Sequence, residues 1–149
     1  MIDTVRVRRS LFCLAGATFL AFAAQSAQAA SLTVTVTGVR SAEGVVRCGL
    51  FASADGFRVP GREAHAADAS IRNGRAICRF PDVEPGNYAL AAFHAEKNEA
   101  NIQYGLFGKP KQGVGFSNNP SITFGAPGFD KARFAFQGAR SAITVSLQY

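Results

Sequence analysis

His94 is the side chain in this sequence best suited to moving a proton at neutral pH. It ends an apolar run, with Glu96 and Glu99 just after it and Ser117 further along the same irregular stretch. A histidine between a hydroxyl and a carboxylate is the arrangement by which hydrolases activate a nucleophile. Ser117, however, lies between Phe116 and Asn118 and lacks the Gly-x-Ser-x-Gly elbow that lifts a nucleophilic serine off a sheet. The simpler expectation is that His94 bonds backbone and holds the loop that follows it. Ser117-Asn118-Asn119-Pro120 is rich in side chains that bond nearby backbone, so it is expected to cap its own turns. With Asn98, Asn101, Lys109 and Lys111, these polar groups make a candidate loop binding site of His94, Asn98, Asn101, Lys109, Lys111, Ser117, Asn118 and Asn119.

Cofactor chemistry finds no motif. Gly105, Gly108, Gly113 and Gly115 permit tight backbone paths, but no Gly-Lys-Ser/Thr step opens a helix after them. Cys48, Cys78 and the widely separated His65 and His94 lack the spacing of a metal site. Neither a metal nor any other cofactor is expected.

The segment carrying the candidate site, His94 to Asn119, is longer than most loops in a compact domain, and such loops are often functional. Strands must hold it. Leu32–Thr37 alternates apolar residues with threonine, the pattern of a half-buried strand. Ser41-Ala42-Glu43-Gly44 reads as a turn, so Val45–Ser53 is expected to return as the second arm of a hairpin. Ala54 to Ala69 breaks the pattern. Ala69–Arg72 and Arg75–Phe80 flank Asn73-Gly74, a strong hairpin signal. Tyr88–His94 is apolar on both faces and suits a central strand. Ala132–Phe136 and Ile143–Tyr149 alternate again. The expectation is all-β: an antiparallel β-sandwich of about seven strands, immunoglobulin-like or transthyretin-like, following a signal helix.

Cys48 and Cys78 both fall on expected inward faces. An oxidising compartment would make them a disulfide; the competing reading is two buried free thiols. The compartment follows from the first residues. Arg6, Arg8 and Arg9, an apolar run from Leu11 to Ala24, and Ala27-Gln28-Ala29 have the order of a secretory signal peptide. The run is too short for a membrane-spanning helix, so no stable span remains after cleavage. General secretion is favoured over the twin-arginine route, and Cys13 is read as part of the removed segment. The organisation is therefore a signal peptide over residues 1–29 and one sandwich domain over 30–149, in a periplasmic or secreted protein. Residues 30–149 carry thirteen basic and nine acidic residues, a net charge of +4. The basic residues are dispersed, which argues against nucleic acid as a partner.

Two segments resemble known proteins. Pro85-Gly86-Asn87-Tyr88-Ala89 is similar to the Pro-Gly-x-Tyr step of transthyretin-like and carboxypeptidase-regulatory-like sandwiches. Across Leu32 to Tyr149, Gly44-Val45-Val46-Arg47, Leu50-Phe51, Gly56-Phe57, Phe93-His94, Pro110-Lys111, Gly115-Phe116-Ser117-Asn118-Asn119 and Phe129-Asp130 resemble the bacterial family called domain of unknown function 2141. The resemblance implies an exported β-sandwich and no established activity. Its members follow Phe-His with an aspartate, an Asn-Gly-Asn-Gly run and a further aspartate, which resembles an oxygen-rich calcium loop. Ala95, Lys97 and Gln103 replace that pattern here, which argues against calcium. The reading is an exported, non-enzymatic binding or structural module of the cell envelope, whose partner is an envelope protein or glycan. The alternative is a small hydrolase using His94 and Ser117.

Overall fold

The structure, a computed structural model, describes residues 30–149. The expected signal peptide, its helix and Cys13 lie outside the described residues. The strands are β1 (Ser31–Thr37), β2 (Val45–Phe51), β3 (His65–Arg72), β4 (Arg75–Pro81), β5 (Gly86–Ala95), β6 (Val114–Phe116), β7 (Arg133–Phe136) and β8 (Ser141–Ser146). A short helix, α1 (Phe129–Ala132), leads into β7. The alternation of β1 becomes a strict inner row of Leu32, Val34 and Val36, all fully buried. Asn73 and Gly74 both take positive φ, and Ile71 pairs with Ala76 and Arg72 with Arg75 around them, as the hairpin signal requires.

The all-β expectation holds, but the sandwich does not. The strands form one eight-stranded sheet in the order β6-β5-β2-β3-β4-β1-β8, with β7 also on β5, and this sheet curls into a nearly closed barrel. The reason lies in β3. It pairs with β2 from His65 to Ser70, then hands over to β4 at Ile71 and Arg72, so the sheet turns a corner instead of splitting in two. The far ends meet at Val114 and Gln148, which exchange backbone hydrogen bonds of 2.9 and 2.8 Å. The sheet is also not purely antiparallel, because β8 runs parallel to β1.

The expected β1–β2 hairpin is absent as well: β1 pairs with β4 and β8, and β2 with β3 and β5. The intervening connection crosses the barrel end. It buries Val39, whose N–H donates to the Gly74 carbonyl.

Inside the barrel, Val46, Cys48 and Leu50 of β2 face Ala76, Cys78 and Phe80 of β4, with Leu90, Phe136 and Val145 filling the rest. Cys48 and Cys78 are disulfide-bonded with Cα atoms 6.5 Å apart. Strands two apart in a flat sheet would lie about 9.5 Å from one another. The bond therefore spans the interior of a sheet folded at β3. A second apolar cluster covers the outer face of β2, β5 and β6: Phe51, Ala89, Val114 and Phe116 under Phe57, Ile102, Ile122 and Phe129. Phe57 lies edge-on to Phe51, Phe116 and Phe129. β5 is thus covered on both faces, as its sequence predicts.

The disulfide closes a separation of 30 residues. Replacing both cysteines (Cys48→Ala with Cys78→Ala) is expected to lower unfolding free energy by about 3–4 kcal/mol in denaturant titrations, with the β-rich circular dichroism retained.

Candidate functional site

His94 is the last inward residue of β5, one before the strand ends, and it is fully buried. Its Nε2 lies 2.8 Å from the Glu43 carbonyl, which can only accept, so Nε2 carries the proton. Nδ1 then accepts from the Tyr149 hydroxyl at 2.9 Å. That hydroxyl in turn accepts from the Arg40 N–H at 3.1 Å. The Arg40 guanidinium stacks on the Tyr149 ring and donates twice to the Glu96 carboxylate, at 2.6 and 2.7 Å. Gly113 lies flat beneath the same ring: a Cβ there would come within 2.3 Å of it. His94 therefore joins three chain segments, the β1–β2 connection, the end of β5 and the residues after β8. Its side chain does not hold the long loop; its backbone N–H does, donating to the Gly113 carbonyl at 2.9 Å.

The charged members follow from these contacts. The Arg40 guanidinium holds the Glu96 carboxyl below the usual carboxylate range, and Glu96 raises Arg40 in return. Burial pushes the Tyr149 phenol up from its ordinary value. Backbone N–H groups of Glu99 itself and of Lys97 lower the Glu99 carboxyl.

Ser117, directly after β6, is buried beside Leu90, four residues back from His94 along β5. Its hydroxyl accepts from the Leu90 N–H at 2.9 Å and donates to the Ala132 carbonyl. At about 3.3 Å per residue, Leu90 and His94 are some 13 Å apart. The histidine and the serine are not brought together, and each has its hydrogen bonds filled elsewhere. Asn118 donates to the Lys131 and Arg133 carbonyls, and Asn119 donates to the Thr144 carbonyl while accepting from the Ser146 N–H. Three consecutive side chains thus fasten the end of β6 to β5, to α1 and β7, and to β8. They bond distant backbone rather than only their own turns. Asn98, Asn101, Lys109 and Lys111 are exposed on the loop between β5 and β6.

A feature that the sequence did not signal lies on the outer face. The register places Ala66 of β3 beside Gly49 of β2, and Gly49 beside Ala91 of β5. This row of minimal side chains crosses three strands. On one side stands the row Asp68–Arg47–Phe93, where Arg47 bonds the Asp68 carboxylate and the Glu99 carbonyl. On the other stands Phe51, packed so closely with Glu63 that a Cβ on Gly49 would meet either at 2.9 Å. The trough holds about 300 Å³, walled by Arg58 and Pro60 from one loop and by Asn101, Ile102 and Tyr104 from the other. Of the candidate loop residues, Asn101 is the one that reaches it. A larger hollow of about 750 Å³ lies where β3 and β4 diverge, lined by Arg72, Arg75, Arg79 and Asp68, but a single hairpin supplies all of its walls.

His94→Ala is expected to cost about 2–4 kcal/mol of stability, because it opens a cavity and leaves the Glu43 carbonyl without its donor. Glu96→Gln tests the charged pair. The folded carboxyl is the stronger acid, so its contribution is complete above the ordinary value of 4.5 and is lost as pH falls through the lower folded value. The stability gap between wild type and this variant should be present at pH 7 and close progressively as pH falls below 4.5 in thermal melts.

No curated protein and no solved structure matches the chain. Residues 34–144 do match a family model described as an uncharacterized protein conserved in bacteria. The Ser117-Asn118-Asn119 joint and the Phe93-His94 step of the barrel end both fall within those residues, and the chain belongs to that family, domain of unknown function 2141.

Proposed function

We propose that the protein is an exported, non-enzymatic binding module that holds a glycan of the cell envelope in the trough over β2, β3 and β5. The observation that carries this reading is the trough itself. Its floor of Ala66, Gly49 and Ala91 is apolar and flat, and its rim mixes Tyr104 and Phe93 with Asn101, Arg58, Glu63 and Asp68. A sugar ring has one apolar face for stacking and hydroxyls at its edge for amide, guanidinium and carboxylate partners. The volume of about 300 Å³ is at the lower end for small-molecule sites and suits one or two rings of a longer chain. The non-enzymatic part is supported by His94 and Ser117, whose polar atoms already bond within the barrel.

Ala66 is exposed on β3, so Ala66→Trp fills the trough without touching the core. Soluble peptidoglycan fragments titrated into wild type should shift amide signals of Gly49, Ala91 and Asn101, and the variant should lose at least tenfold in affinity. Unmoved signals across a panel of envelope glycans would count against the reading.

A further inference from the structure

The loop between β5 and β6 contains a small hairpin whose tip, Leu106 and Phe107, takes no part in walling the trough. Gly105 donates to the Lys109 carbonyl and Lys111 to the Gln103 carbonyl, each at 2.8 Å, and Tyr104 bridges Pro110. The stem is held to the body by Ile102, packed on the outer cluster, and by the buried Gln112, whose side-chain Oε1 accepts from the Gln103 N–H. At the tip, a 3-10 turn presents Leu106 and Phe107, which are 84% and 97% exposed. Phe107 takes φ 61° and ψ 22°, a left-handed conformation that bulky residues rarely adopt. A braced stem therefore displays two apolar side chains to water at a conformational cost. Such strain is found where an exposed group has a role.

Charge indicates what the tip meets. Between Glu99 and Asp130 the chain has no acidic residue, and its only charges are Lys109 and Lys111. Both are exposed, and neither is in an ion pair among the described residues. We propose that this hairpin is a membrane-docking tip: Leu106 and Phe107 enter the interfacial zone of an anionic bilayer, Lys109 and Lys111 meet the lipid phosphates, and Tyr104 lies at headgroup level. A convex tip of two apolar side chains is far smaller than the roughly 1,000 Å² that a stable protein interface buries. Interfacial anchoring needs only a few apolar side chains beside basic ones, because the bilayer closes around them. Two side chains and two lysines give reversible attachment, which places the trough near the membrane surface.

The chain contains no tryptophan, so Phe107→Trp installs a single reporter at the tip. Its emission should shift to the blue on vesicles of phosphatidylglycerol and phosphatidylethanolamine, and should be quenched by lipids with brominated acyl chains. Adding Lys109→Gln and Lys111→Gln should weaken the partitioning about tenfold or more, as raised salt should. In a second variant, Ile77→Trp places the reporter on β4, where Ile77 is partly exposed but far from the hairpin in the sheet order. All variants share the wild-type N-terminus, so differences between them report the reporter's position. An unshifted tip reporter on anionic vesicles overturns the proposal and leaves a protein pocket as the class of partner. An equal shift of the β4 reporter, or no effect of removing the lysines, overturns it too.

Discussion

Water must be kept off both faces of β5, and much of the structure follows from that constraint. Leu90, Ala92 and His94 face the barrel interior, while Ala89, Ala91 and Phe93 face outward, and neither set is polar enough to be left bare. The inner face is closed by the curl of the sheet and by the disulfide that spans it. The outer face cannot be closed by a second sheet, because each strand is already used in the barrel. Loops close it instead, with Phe57, Ile102, Ile122 and Phe129 as their contacts. The long loops are thus a second layer of the core as well as connections, and the trough is the gap that they leave over the smallest side chains of the sheet.

Features set by neighbours in the chain were legible in the sequence. The alternation in Leu32–Thr37, the Asn73-Gly74 turn and the two-faced Tyr88–His94 run are local patterns, and the structure reproduces them. The inward parity of Cys48 and Cys78 was legible too, since side-chain direction in a strand depends only on position. β3 was found only at its end. His65-Ala66-Ala67-Asp68 has no apolar alternation, because Ala66 and Asp68 are open to water on the outer side and Ala67, beside Cys48 on the inner side, has room for only a small side chain. β6 was hidden inside a glycine-rich stretch, where Gly115 lies against β8 so tightly that a Cβ would meet the Ser146 carbonyl at 2.7 Å.

The sites divide in the same way. His94 was readable as a backbone-holding residue, but its partners Glu43 and Tyr149 come from distant parts of the chain and no local pattern names them. The trough depends entirely on register: Gly49, Ala66 and Ala91 become one row only after β2 has paired with both β3 and β5. Gly49 inside β2 marks a close approach but does not name its neighbours. Asn118 and Asn119 were recognised as backbone-bonding residues, yet the backbone that they bond lies up to 27 residues away.

Asn119 has one more effect. β8 pairs with β1 along one edge; along the other, among the described residues, it forms no strand ladder, although β6 packs against it and Val114 bridges Gln148 just beyond its end. The side-chain amide of Asn119 occupies that open edge, donating to the Thr144 carbonyl and accepting from the Ser146 N–H as a residue of a paired strand would. It is a one-residue imitation of the missing strand. An open edge is the usual template on which a second copy adds itself. Asn119 therefore occupies, within one molecule, backbone groups of β8 that a second copy would otherwise find unpaired.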